Sequence, residues 1–514
     1  MIPNGHATED LLLQSSSVMK SEGDKIELKC DLWKPFVFGM ISALLGVLLT
    51  VWTPSNLLLN ERLRMRPGLP PYEWWVSPPG EILLKVYLFN ITNLEAFLNG
   101  TDQKLNLDEV GPIIYQEKLI HTNVTHNDNG TLSYTAKRFL VYLPAMNHLD
   151  LNDTLVVPNI AVLGMASYFG NSMSITKSVF NALVRNLESR SIIRTTIYDY
   201  LWNSTDPVLD IGNSLFPILV PVKNLGILAV VYEKFEHRIT AYIGTKCGPS
   251  RFFLIDQFDG SQYLPDHGCE EKLVNATEGV AFHPFLTKNE TILYWRKTLC
   301  KVVELDFERE VVSHGFNAYR YTLRNETFRR KAPEPDCFIG DPPLPNGLID
   351  VSKCFFNIPV AISFPHFLNA DPVTTIYVNG LKPTVEQHGS FIHIEPITGV
   401  PLETRAQLQA NLVLGDLSGF NEDIEPFSNI IIPLFCFEFN QAGLPSHISN
   451  TVFFIAVILP YLQVIVIVVL YCTGLGLITL NVYKFATKRQ KRYLKGNIVQ
   501  SEECNMLCKS ELIL

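Results

Sequence analysis

The stretches FVFGMISALLGVLLTVW (Phe36–Trp52) and VFFIAVILPYLQVIVIVVLYCTGLGLITL (Val452–Leu480) decide the architecture of this 514-residue chain. Both are uncharged and apolar, close to or beyond the roughly 18 residues that cross a bilayer as a helix. All nine Asn-x-Ser/Thr acceptor sites fall between them, at Asn90, Asn99, Asn123, Asn129, Asn152, Asn203, Asn275, Asn289 and Asn325. Such acceptors are modified only on the lumenal side of the secretory pathway. The expectation is a membrane hairpin with both termini cytoplasmic. Its parts are an N-terminal tail (1–34), a first span (35–53), a lumenal or extracellular domain (54–451), a second span (452–482) and a C-terminal tail (483–514).

A cleaved signal peptide is the rival reading of the first stretch. About 35 residues precede it and no small-x-small cleavage site follows Trp52, which favours an uncleaved anchor. Arg62, Arg64 and Arg66 lie on the side where basic residues are normally scarce. The other end is unambiguous, because Lys484, Lys488, Arg489, Lys491, Arg492 and Lys495 follow the second stretch. With two spans, that places the N-terminus in the cytoplasm as well.

The region between the tails carries 31 basic and 42 acidic side chains, a net charge of −11. Nucleic-acid binding needs a basic footprint for phosphates, so that class is excluded. Short runs rich in β-branched and aromatic residues read as strands: Glu81–Asn90, Gly111–Ile120, Ile227–Phe235, Arg238–Gly244, Arg251–Phe258 and Ser390–Ile397. Many short strands with turn residues between them point to an antiparallel sheet system, a barrel or a sandwich.

From about Ile160 to Trp202 the period becomes helical. Val179, Phe180, Leu183, Val184 and Leu187 are expected to share an apolar face, with Lys177, Asn181, Arg185 and Glu188 opposite. Lys177, Arg185, Arg190 and Arg194 stand against the single acid Glu188 in this stretch. One reading is an ordinary solvated helix face. The sharper one is a docking surface for anionic ligands, with Lys177, Arg185 and Arg190 as its contacts.

Six cysteines lie between the spans, and six allow 15 pairings. Cys30, in the N-terminal tail four residues before Lys34, is the candidate for S-palmitoylation. No nucleophile elbow, zinc helix, phosphate loop or CxxC is present. No catalytic residue, cofactor or metal is therefore expected.

Four separated stretches in collinear order, YLFNITNLEAFLNG (Tyr87–Gly100), EVGPIIYQE (Glu109–Glu117), ISFPHFLNADPV (Ile362–Val373) and IEPITGVPL (Ile394–Leu402), resemble the class B scavenger receptor family. Its members include fatty-acid translocase, the high-density-lipoprotein receptor, a lysosomal integral membrane protein and the insect sensory neuron membrane proteins. The resemblance implies a mainly β fold with α: a large irregular antiparallel β-barrel, an apolar tunnel through it and an apical helical bundle at about 155–203. It implies bridges Cys269–Cys337 and Cys300–Cys354, and leaves Cys247 and Cys436 free or paired with each other. Ile339 departs from relatives that carry a cysteine there. The implied partners are lipids, lipoprotein particles and the membrane, with a homo-oligomer allowed. The implied cargo is a fatty acid, sterol or carotenoid. The implied location is the plasma membrane, or alternatively the endosome or lysosome. Other readings within the family are a sensory lipid or pheromone co-receptor, and a pathogen-recognition or adhesion receptor.

Overall fold

The computed structural model describes residues 33–218, 220–264, 272–329, 338–340 and 342–510. It divides into two compact units, one holding both ends of the chain (Met1–Leu58 and Phe454–Leu514) and one holding Leu59–Phe453. Cys30, Cys269 and Cys337 fall outside the described residues.

Helices Trp33–Val51 and Ser446–Lys495 are long and apolar enough to cross a membrane. They meet through small side chains. A Cβ on Gly474 would lie 2.9 Å from the Ala43 nitrogen and 3.0 Å from the Gly39 carbonyl oxygen, so only glycine admits this approach. Ser42 Oγ donates to the Leu470 carbonyl at 3.0 Å and lies 3.0 Å from Thr473 Oγ1. Close backbone approach and interhelical hydrogen bonds are what associates helices where lipid removes the hydrophobic driving force. Helical backbone continues to Ser510, so Lys484 to Lys495 extend the same helix.

The second unit is built on a 14-stranded sheet. In chain order the strands are β1 (Ile82–Ile91), β2 (Leu105–His126), β3 (Thr131–Tyr142), β4 (Thr154–Pro158), β5 (Ile192–Thr196), β6 (Glu236–Tyr242), β7 (Ile255–Phe258) and β8 (Ile292–Trp295). They continue with β9 (Val302–Ser313), β10 (Phe316–Leu323), β11 (Leu348–Asp350), β12 (Val360–Ser363), β13 (Val378–Asn379), β14 (Phe391–Glu395), β15 (Val400–Val413) and β16 (Ile431–Gln441). The main path runs β7-β6-β3-β2-β1-β16-β15-β14-β10-β9-β8, while β4 and β5 form a separate pair.

This order corrects the expected closed barrel: the ladder has two ends, β7 and β8. Among the described residues, Asn275–Thr277 spans them. Ile255 donates to the Ala276 carbonyl on one side, and Thr277 donates to the Leu293 carbonyl on the other, at 2.8 Å each.

Strand alternation explains why these segments pair as they do. On β2 the inward residues are Ile113, Tyr115, Glu117, Leu119 and His121, all buried. Gly111 and Pro112 together oppose the single residue Tyr87 where β1 shifts register, between Val86 and Leu88. A Cβ on Gly111 would lie 2.8 Å from the Val86 carbonyl oxygen, which accounts for the glycine of that motif.

Two strand expectations need correction. Ile227–Phe235 holds a helix, Ile227–Tyr232, because its apolar run has no period of two to keep it extended. Within Arg251–Phe258 only Ile255–Phe258 is strand, after a 3-10 turn at Pro249–Arg251. The expected helical block divides into Ile160–Tyr168, Ser174–Asn186 and Ile197–Trp202, with β5 inserted before the last.

Arg62, Arg64 and Arg66 all have structural partners. Arg64 and Arg66 pair with Glu61. Arg62 donates to the Thr398 carbonyl, and burial lowers its pKa to about 10 against the opposing pull of Glu395.

Candidate functional site

An apolar cavity of about 70 Å3 opens between helix Ile227–Tyr232 and strands β12, β15 and β16. Val230 and Val231 face it from the helix, Ile362, Ala410 and Phe437 from the sheet, and Phe355 from the turn after Cys354. Thr298 contributes the one polar side chain of its lining. The volume would admit water, but walls of this kind stay dry and take hydrocarbon instead.

Local sequence explains the position of each wall. Asn159 caps helix Ile160–Tyr168, accepting from the Ala161 and Val162 nitrogens. Its amide donates to Asp206 at 2.8 Å, and Asp206 also accepts from Ser189 Oγ and the Val208 nitrogen. The Asp-Pro of YLWNSTDP is therefore a buried cap that sets Ile160 at the cavity wall. Asn224 donates to the Trp202 carbonyl and accepts from the Gly226 nitrogen, which places the start of helix Ile227–Tyr232. Cys300 and Cys354 are disulfide-bonded, with Cα atoms 6.4 Å apart. That bridge holds the turn bearing Thr298 against Phe355. Cys247 and Cys436 are free thiols.

Beside the cavity lies a buried charge cluster that motif reading missed. Glu117, with no exposed side-chain surface, accepts from Arg296 Nη2 at 2.5 and 2.7 Å and from Arg138 at 3.1 Å. Arg138 also approaches Glu278 at 3.6 Å, and Tyr134 donates to Glu278 at 3.2 Å. The Arg296 guanidinium stacks on Phe439, 3.8 Å from the ring centroid. Burial opposes ionisation of Glu117, yet the two guanidiniums outweigh it and hold the carboxyl below its ordinary pKa. Nearby His121 is pushed down to about 3 by burial and stays neutral, donating from Nδ1 to the Trp75 carbonyl. The sequence did carry one signal: Glu117 occupies the apolar phase of β2.

Glu109, His366 and Cys436 also converge, their ligand atoms within 4.8 Å of one another. The Lys382 nitrogen donates to His366 Nδ1, so the ring proton sits on Nε2 and points to Glu109 at 3.1 Å. Burial, reinforced by Glu109, raises the Cys436 thiol well above its ordinary range. A proton-bearing Nε2 and an un-ionised thiol are poor metal ligands. This group secures the Pro365–Phe367 turn.

The three basic candidates sit differently from one another. Lys177 donates to the Ser418 carbonyl at 2.8 Å and lies 5.4 Å from the centre of the Phe420 ring. Arg185 and Arg190 are exposed and form no ion pair among the described residues. Phe180 and Val184 face inward, while Val179 is 64% exposed, a correction to the expected apolar face. At 100° per residue Val179 lies beside that face and points outward.

Of the acceptor sites, eight of the nine asparagines are exposed. Asn90 is half-buried, and its Oδ1 accepts from the Val156 nitrogen at 2.8 Å.

The CD36 family profile matches residues 37–485. The chain belongs to the CD36 family. It is similar to scavenger receptor class B member 1 of Bos taurus, with 28% identity over 89% of each chain. The Cricetulus griseus protein of the same name is 29% identical over 88% of this chain and 89% of that one. Lysosome membrane protein 2 of Homo sapiens is 26% identical over 71% of this chain and 76% of its own length. Family membership and the two candidate spans together make this a two-pass membrane protein of the class B scavenger receptor type.

Proposed function

We propose that this protein captures lipid or lipoprotein particles and passes hydrophobic cargo through its large domain to the membrane, without a catalytic step. The apolar cavity carries the proposal, since a dry hydrocarbon-lined space inside a domain flanked by two spans suits a conduit. Each methylene taken out of water gains about 0.8 kcal/mol, so a chain can move down its gradient with no other energy source. Similarity to scavenger receptor class B member 1 supports the receptor reading and the plasma membrane; similarity to lysosome membrane protein 2 keeps an endosomal or lysosomal site as the second reading. The same proposal places both termini in the cytoplasm, glycans on the exposed acceptor sites, a second bridge at Cys269–Cys337 and an acyl chain on Cys30. Arg185 and Arg190, with Lys177 at the edge, serve as the capture surface.

Proteoliposomes holding the full chain, with a fluorescent lipid in donor particles, test the conduit. Transfer should follow the cargo gradient, need no ATP and slow when Ala410→Trp fills the cavity, while particle binding is unchanged. A strict ATP requirement, or cargo recovered cleaved, would sink the reading.

A further inference from the structure

We propose that the cavity has a polar end that reads a neutral oxygen head group, an alcohol or carbonyl, and discriminates against a carboxylate. The inference rests on the conduit reading and specifies its cargo. Thr298 is 4% exposed and lines the cavity, and its Oγ1 has no hydrogen-bond partner among the described residues. Buried polar atoms almost always find partners, so an orphan hydroxyl on an otherwise apolar wall marks where a ligand atom belongs. Nearby, Arg296, two residues back on the same turn, and the Tyr232 hydroxyl, next to the lining residue Val231, interact with each other.

The Thr298 hydroxyl can donate or accept, so an alcohol or a carbonyl oxygen can serve as its missing partner. Charge then separates the candidates. The adjoining cluster holds two guanidiniums, Arg138 and Arg296, and two carboxylates, Glu117 and Glu278. Arg296 meets Glu117 with both carboxylate oxygens engaged, leaving no net positive charge to compensate an incoming anion. A carboxylate head would be desolvated without a counter-charge, whereas an alcohol or ketone loses little and gains the waiting Thr298 hydroxyl. Cys300–Cys354 fixes this arrangement by fastening the Thr298 turn to the Phe355 wall.

Three 16-carbon probes matched in chain length, 1-hexadecanol, hexadecane and palmitate, are compared for binding to the full chain in nanodiscs. The alcohol should bind about five- to tenfold more tightly than the hydrocarbon, the worth of one hydrogen bond, and more tightly than palmitate. Thr298→Val should erase the preference over hydrocarbon and Thr298→Ser should keep it. Removing an unpaired buried hydroxyl does not threaten folding, and Ala410→Trp should block all probes. Palmitate binding better than the alcohol, or an alcohol preference that survives Thr298→Val, overturns the inference while the conduit stands. If no probe binds the wild type, the inference and the conduit reading fall together.

Discussion

Arg296 and Arg185 are the same residue type doing unlike work. Arg296 is buried, stacked on Phe439 and bonded to Glu117, which also takes Arg138. Arg185, with Arg190, stands in solvent with no ionic partner among the described residues. The buried arginine is committed to holding strands β2, β3 and the turn before β9 together. The exposed ones have their charge available to an approaching particle. Burial and partner count, more than charge itself, assign the role.

The sharpest way to break this contrast is Glu117→Ala. It leaves Arg296 buried without its carboxylate and Arg138 with Glu278 alone, which should destabilise the protein by about 3–5 kcal/mol. Retention in the endoplasmic reticulum, read as persistent sensitivity to endoglycosidase H, checks it. The pH sign follows from the lowered Glu117 pKa. Its stabilisation is complete above the unfolded carboxyl value of about 4.3 and is lost as pH falls through the folded value beneath that. The cluster should therefore survive the pH 5–6 of endosomal compartments. Thermal unfolding that weakens steeply in that interval would assign the acid response to other groups.

Cys300→Ser should cost about 4 kcal/mol, from a bridge closing a separation of 54 residues. Differential scanning fluorimetry of the purified chain measures it, and an unchanged midpoint would make the bridge dispensable. A smaller effect comes from Asn90→Gln, which loses the bond from the Val156 nitrogen and should cost about 1 kcal/mol. It should leave the electrophoretic mass unchanged, whereas Asn99→Gln should lower it by one glycan. Smallest for stability is the pair Arg185→Glu with Arg190→Glu, expected within about 0.5 kcal/mol of wild type. Capture of anionic vesicles should nevertheless fall, most visibly at low salt. Equal capture at equal surface expression would return these arginines to an ordinary solvated face.

The two candidate spans and β1, β2, β6 and β14 were legible because each rests on local pattern. Helix Ile227–Tyr232 was not, since ILAVVY is apolar throughout and burial on most sides suits either conformation. The charge cluster escaped for another reason: Glu117 and Arg296 are 179 residues apart and meet only through sheet pairing. Glu117 on the inward phase of GPIIYQEKLI nevertheless announced a buried partner. The cavity had no local signature, because its wall is assembled from segments as distant as Ile160 and Phe437. That the ladder stays open between β7 and β8 was equally hidden, as these strands are only four residues each.

The narrow seam at Asn275–Thr277 has a consequence for how the protein must be made. Strand edges with few partners recruit other chains, and among the described residues Asn275–Thr277 is the short segment that bonds to both edges here. Asn275 is exposed on that segment and begins the acceptor site Asn-Ala-Thr, its left-handed backbone (φ 74°) being one that asparagine tolerates. A sugar tree attached there would stand over both edges as a steric guard. Material produced in a host without glycosylation should then self-associate at this seam, and Asn275→Gln made in animal cells should reproduce that behaviour on size-exclusion chromatography while Asn289→Gln does not.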